Sequence, residues 1–290
     1  MRTEEGRGIR PGMKTILVTG ATSGIGLEAS VQLATQGHRV VMVGRDEQKT
    51  RACVEDVKRR SSSGSVEFLL ADFSSQASVR ALADAYRAKF DRLDVLVNNA
   101  GSVFKDRGVT KDGIENTFAL NHLGYFLLTN LLLDLVVKSA PSRIVIVSSA
   151  NHYRGTMDLD DLGYEKGGYG IMAAYGRSKL GNVLMMRGLV KRLEGKNVTV
   201  NALHPGGVAT NIYSGAPGWA KPILAVVKAL FLISPEEGGQ TITYLASSPE
   251  VEGKTGLYFE KNRPKTCAPL GRDDALAERL WAKSAELVKL

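Results

Sequence analysis

The chain has 290 residues, enough for one large domain or two small ones. Hydrophobic residues make up 43% and charged residues 23%, ordinary globular usage that excludes a disordered or low-complexity scaffold. Only two cysteines, Cys53 and Cys267, occur; they are far apart with no CxxC or His cluster nearby, which excludes a disulfide framework and a Cys-based zinc site and fits a reducing compartment. The net charge of +8 is interleaved with acids, as in Arg45-Asp46-Glu47. The one dense run, Lys58-Arg59-Arg60, closes a predicted helix, where cations complement the dipole. A nucleic-acid partner is therefore not expected.

Residues 1–13 read as a polar, glycine-containing tail, neither a secretory signal nor a membrane anchor. Apolar runs then alternate with helix-length segments. Predicted strands start at Lys14–Thr19 and continue with Arg39–Val43, Val66–Ala71, Leu93–Val97, Arg143–Ser148, Asn197–Leu203 and Thr255–Phe259. Predicted helices run from Gly24 to Gln36, to about Arg60, to about Phe90, and from Asn116 to Val137. The alternation demands right-handed crossovers. It predicts one doubly wound α/β domain over 14–290, with about seven parallel strands and helices on both faces. The longest apolar stretch, Pro222 to Ile233, is broken by Lys228 and is too short to span a bilayer, so a soluble cytoplasmic protein is expected.

The first strand runs into Thr19-Gly20-Ala21-Thr22-Ser23-Gly24-Ile25-Gly26. Gly20 permits a tight turn, Gly24 lets backbone approach a pyrophosphate, and Gly26 allows close helix–sheet packing. The helix N-terminus then offers N–H groups to the phosphates. With Asn98-Asn99-Ala100-Gly101 after the fourth strand, Tyr175 and Lys179 after the fifth, and His204-Pro205-Gly206 after the sixth, the sequence resembles the short-chain dehydrogenase/reductase superfamily across residues 14–260. Asn121-His122-Leu123-Gly124 and His152 shortly after Ser148-Ser149 resemble its retinol-dehydrogenase-like branch. The resemblance implies a nicotinamide cofactor on Gly20, Thr22, Ser23, Gly24, Ile25, Gly26, Arg45, Asp72, Asn98, Ala100, Gly101, Tyr175, Lys179, Pro205, Gly206, Val208 and Thr210. It also implies homodimers or homotetramers, with monomers known in the branch.

A carboxylate at the end of the second strand hydrogen-bonds a ribose diol, whereas an arginine there accepts a 2′-phosphate. Here Gly44 stands where an acid would, followed by Arg45, which predicts NADP(H) over NAD(H). A solvated loop charge is the other reading of Arg45. Asp46, 20 residues after Gly26, is assigned to the N-cap of the next helix.

Tyr175 and Lys179 are four residues apart, on one helix face. The ammonium is expected to lower the phenol pKa, making Tyr175 the proton donor and acceptor for a carbonyl/alcohol couple. The resemblance adds Ser149 as the holder of the substrate oxygen, with the register against Ser148 left open, and Asn121 as the anchor of a water leading from Lys179 to solvent. The 26-residue step from Ser149 to Tyr175 implies an inserted loop with Asp158, Asp160 and Asp161. His122 and His152, without partners at metal-ligand spacing, are assigned to structure or pocket lining.

Residues 211–233 are expected to leave the sixth strand as an apolar substrate lid, with core packing and membrane contact as the other readings. A lipophilic aldehyde, ketone or alcohol follows as the expected substrate, since no charged side chain is placed for an acidic one. Two further readings of the same motifs remain at this point: a C=C reductase and a non-catalytic NADP-binding sensor.

Overall fold

Alternate residues of the central strands belong to two separate cores, the mark of a sheet covered on both faces. In the computed structural model, which describes residues 12–206 and 234–290, the chain alternates β1 (Thr15–Thr19), α1 (Gly24–Thr35), β2 (Arg39–Gly44), α2 (Glu47–Ser61), β3 (Val66–Leu70), α3 (Gln76–Lys89) and β4 (Val95–Asn98). A composite helix, α4, follows over Asn116–Lys138, then β5 (Ser142–Val147), α5 (Ile171–Arg192), β6 (Val198–His204), α6 (Pro235–Ser247), β7 (Tyr258–Glu260), β8 (Arg263–Lys265) and α7 (Asp274–Val288). Leu17, Val41, Leu96, Ile144 and Val200 pack with α3, α4 and α5 on one face. Ile16, Val40, Val95, Val145 and Leu203 pack with α1, α2 and α6 on the other.

The strand order is β3-β2-β1-β4-β5-β6-β7-β8, with β1 to β7 parallel. The seven parallel strands are as expected, although the seventh starts at Tyr258 rather than Thr255. An eighth strand, antiparallel to β7, was not expected: Arg263-Pro264-Lys265 is exposed, polar and proline-containing, with no hydrophobic pattern to reveal an edge strand. From β1 the chain goes first to β2 and β3 on one side, and β4 then pairs with β1 on the other. That reversal opens a crevice at the carboxyl ends of β1 and β4, where ligands bind in open α/β sheets.

Helix starts follow local chemistry. Asp46 accepts from the Lys49 N–H at 2.7 Å and caps α2, as its position suggested. Ser234 and Glu237 form a capping box at α6, with Pro235 in the first turn. One helix among the described residues, Asn116–Lys138, is long and apolar enough to cross a membrane, a longer apolar segment than Pro222–Ile233; two-thirds of its most apolar window is buried inside this fold, as a core helix requires. The segment expected as a lid, 211–233, lies outside the described residues, as do Val208 and Thr210.

Candidate active site

The β1–α1 turn is shaped by what cannot be there. Gly20 adopts φ +64°, and a Cβ on it would sit 2.6 Å from the Ala100 Cα. A Cβ on Gly26 would sit 2.5 Å from the Gly20 carbonyl oxygen. These contacts lock the turn against the loop after β4, where Thr19 Oγ1 accepts from the Asn99 and Ala100 N–H groups at 2.8 and 3.0 Å. Asn99 returns its amide to the Thr19 carbonyl at 2.8 Å. Ser23 is the N-cap of α1 but its hydroxyl accepts no capping hydrogen bond, and the first turn holds no acid. That helix start, with Thr22, Ser23 and Ile25 around it, therefore has N–H groups and positive dipole free for an anion. The cradle fits a pyrophosphate.

At the end of β2, a Cβ on Gly44 would lie 2.0 Å from Thr50 Oγ1 and 2.6 Å from Thr22 Cγ2. Thr50 is fully buried, so an acidic side chain has no room at Gly44. Arg45 is exposed and has no ion-pair partner among the described residues. Asp72, after β3, accepts from the Ser74 backbone and hydroxyl at 2.9 and 2.7 Å. Asn98 is fully buried and donates its amide to Thr129 of α4 at 2.9 Å, so its side chain points into the core rather than to the loop surface. Pro205 and Gly206 follow β6, with the Gly206 N–H donating to His204 Nδ1 at 3.1 Å.

The four expected catalytic side chains converge from three segments: α4, the turn after β5, and α5. A Cβ on Gly101 would touch Asn121 Oδ1 at 3.1 Å and Lys179 Nζ at 3.5 Å, which places those groups around one point beside the β4 exit. Lys179 Nζ donates to the Val147 carbonyl at 3.1 Å and lies 5.6 Å from the Tyr175 ring centre. Ser149 caps the 3-10 turn Ala150–Arg154, and its hydroxyl lies beside the Tyr175 phenol, favouring the ionised form. Ser148 is buried and its hydroxyl is committed to the Lys179 carbonyl at 2.8 Å. Of the two serines, Ser149 is the one whose hydroxyl faces Tyr175.

The charges differ from expectation. Burial raises the Tyr175 phenol above its ordinary value, with the Ser149 hydroxyl pulling the other way. Burial also lowers Lys179 to about 7. The expected depression of the phenol by the ammonium is absent because burial leaves Lys179 neutral at the pH where the phenol ionises. The resting pair is a protonated phenol beside an amine that holds its proton weakly.

Residues 14–219 match the family model for short chain dehydrogenase. The chain belongs to the short-chain dehydrogenase family. It is 43% identical to human retinol dehydrogenase 14, over 98% of this chain and 90% of that protein. A solved uncharacterised protein from Mycobacterium paratuberculosis is 31% identical with a TM-score of 0.78, covering 95% of this chain and 93% of its own. The solved Pseudomonas aeruginosa RhlG/NADP active-site complex is 27% identical with a TM-score of 0.68, covering 91% and 96%. As a short-chain dehydrogenase of the retinol-dehydrogenase-like branch, the chain is an oxidoreductase acting on CH–OH and C=O groups.

In this short-chain dehydrogenase, Asn121 sits in a π-helical turn, Ala119–Leu123, inside α4. Such a bulge turns a helix residue out of register and often marks a functional site. It explains an asparagine in an apolar helix interior. Asn121 Oδ1 accepts from the Ser102 N–H at 2.9 Å, while its amide donates to the Ser102 carbonyl at 2.9 Å and to Ser178 Oγ at 3.1 Å. Its own carbonyl accepts from Asn182 at 3.0 Å. Ser102, Ser178 and Asn182 were missed in the sequence because no motif advertises them. Asn182, three residues after Lys179 on the same buried helix face, was the most accessible signal.

The inserted loop is anchored, not loose. Arg177, two residues after Tyr175, donates to the Thr156 and Leu162 carbonyls at 3.3 and 3.2 Å and stacks on Tyr164 at 3.8 Å.

Proposed function

We propose that the chain is an NADP(H)-dependent oxidoreductase interconverting a lipophilic aldehyde or ketone and its alcohol, with Tyr175 as proton donor and acceptor. The observation that carries this reading is the convergence of Asn121, Ser149, Tyr175 and Lys179 beside a cradle fit for a pyrophosphate. Bound at that cradle, the nicotinamide supplies or accepts the hydride.

The chain's own residues handle the proton. Ser149 Oγ holds the substrate oxygen next to the phenol, and Tyr175 gives that oxygen its proton in the reductive direction. Burial keeps the phenol protonated at neutral pH, the form a proton donor needs. The phenolate left behind is the anion Lys179 lacks at rest, so its formation favours uptake of a proton from solvent by the amine, and the two then form an ion pair. Asn121 fixes the loop at Ser102 and the helix at Ser178, holding the two sides of the site together.

The 2′-phosphate preference is supported by Gly44, which leaves no room for a ribose-binding acid, and by exposed Arg45. The RhlG relative was solved with NADP. Lipophilic substrates are supported by the relative named for retinol, and by exposed Ile171 and Met172 one turn before Tyr175. An apolar pocket gains about 25 cal/mol per Å² of surface removed from water, so kcat/KM rises along a carbonyl series as apolar bulk grows. Fluorescence titration with NADPH and NADH, on wild type and Arg45→Asp, tests the cofactor assignment: NADPH binds more tightly to wild type, and the variant reverses the order. Equal wild-type affinities overturn it. A screen of carbonyls, alcohols and enones tests the chemistry, and turnover restricted to enones overturns it.

A further inference from the structure

His152 is fully buried and bonded on both ring nitrogens. Its Nε2 accepts from the Ala268 N–H at 3.0 Å, so the proton must be on Nδ1, which donates to the Ser149 carbonyl at 2.7 Å. Only the neutral Nδ1–H tautomer satisfies both neighbours. The ring lies tilted against Tyr153 and Tyr258, with centroids 4.0 and 4.6 Å away. The Tyr153 hydroxyl meanwhile donates to the Thr266 carbonyl at 2.6 Å. The segment after β8 is thus pinned at two points to the turn that follows Ser149.

Ser149 has little else to hold it. Its hydroxyl accepts only from the Asn151 N–H, at 3.2 Å, among the described residues, and its carbonyl accepts from the His152 N–H and the His152 ring. We infer that His152 is a positioning residue: its imidazole fixes the Ser149 carbonyl and so aims the Ser149 hydroxyl at Tyr175, and it makes the segment 266–268 part of the active-site frame. This inference rests on Ser149 being the holder of the substrate oxygen.

The two bonds can be separated. An Asn amide nitrogen takes the place of Nδ1, and a Gln amide oxygen takes that of Nε2. His152→Asn therefore keeps the Ser149 bond and gives up Ala268, while His152→Gln does the reverse. The expected result is that both bind NADPH within about twofold of wild type, His152→Asn keeps kcat within about threefold, and His152→Gln loses about 10- to 100-fold in kcat with little change in KM, as misplacement of a positioned group does. Amide exchange gives a readout independent of turnover: the Ala268 N–H is protected in wild type and His152→Gln and exchanges rapidly in His152→Asn. Equal kcat in the two variants overturns the inference. So does a kcat loss above about tenfold in folded His152→Asn, which decides the matter even where His152→Gln fails to fold. Ser149→Ala, measured alongside, separates the two readings. If it is impaired while His152→Gln is not, the His152 inference fails alone. If it turns over like wild type, the reading of Ser149 fails and takes this inference with it.

Discussion

The glycine turn and the Tyr175–Lys179 end of the same crevice are built by opposite means. The turn is defined by backbone against backbone: Gly20 and Gly26 are needed because any Cβ collides with Ala100 or with the turn itself. The proton-handling end is defined by buried polar side chains held by partners from other elements, as Asn121 is by Ser102, Ser178 and Asn182. Shape constraints of the first kind are steep and local. Polar networks of the second kind are directional, and each lost partner leaves a buried group unsatisfied.

The largest expected effect lies at the polar end. Tyr175→Phe removes the proton donor and nothing that shapes the turn, so turnover falls about 10²–10⁴-fold while NADPH affinity stays within about twofold. Steady-state kinetics with a cofactor titration check it, and a variant that keeps a substantial share of activity breaks the assignment. Gly20→Ala is the mirror experiment. A Cβ 2.6 Å from Ala100 Cα at φ +64° costs about 1–3 kcal/mol in stability and weakens NADPH binding by at least about tenfold, even in whatever fraction folds. Unchanged cofactor affinity in that variant would mean the turn does not form the cradle.

Lys179 sharpens the contrast through pH. Its folded value, lowered to about 7 from 10.5, means the native state holds the buried ammonium at a cost below about pH 7. Between about 7 and 10.5 the unfolded chain binds a proton that the folded chain does not, so this group makes stability rise with pH across that window. Lys179→Met has no group that titrates there. The stability of wild type relative to Lys179→Met should therefore be flat below about pH 7 and climb above it by roughly 1.4 kcal/mol per pH unit, measured by urea unfolding at a series of pH values. A difference that does not change with pH shows that the amine is not held in low dielectric.

The same contrast explains what could be read in the sequence. A residue type that is obligatory for steric reasons leaves its mark in spacing, so the glycine turn was legible; the parallel strands showed in their apolar runs, Tyr175 and Lys179 in their four-residue helical spacing, and Asp46 at a helix cap in local chemistry alone. Partners in a polar network are chosen by the fold. Ala268 meets His152 across 116 residues and Ser284 meets His122 across 162, and nothing local in either stretch announces the bond. The pKa directions were illegible for the same reason, since they depend on how deeply two helical residues are buried. The π-helical turn at Asn121 was misread as regular helix because its apolar neighbours keep an ordinary pattern.

The smallest effect is expected where the polar network reaches farthest from the reaction. Both hydrogens of the Asn182 amide are spent, on the Asn121 carbonyl at 3.0 Å and the Val147 carbonyl at 3.2 Å, so Asn182 Oδ1 must act as acceptor toward His122 Nδ1. His122 therefore carries its proton on Nδ1, and its Nε2 accepts from the buried Ser284 hydroxyl at 3.1 Å. Burial holds the ring neutral, at about 4, so the chain of donors keeps its direction throughout the neutral range. It runs from α7 to the same Val147 carbonyl that accepts from Lys179. Ser284→Ala deletes only the first donor and leaves one lone pair unsatisfied, a loss of about 1 kcal/mol. In a protein of this size that lowers Tm by about 2 °C. Because Asn182 and His122 keep their own bond and tautomer, kcat and NADPH affinity stay within about twofold of wild type. Thermal unfolding beside steady-state kinetics checks both halves, and a kcat loss approaching tenfold would show that α7 sets the position of Lys179 through His122 rather than merely packing behind it.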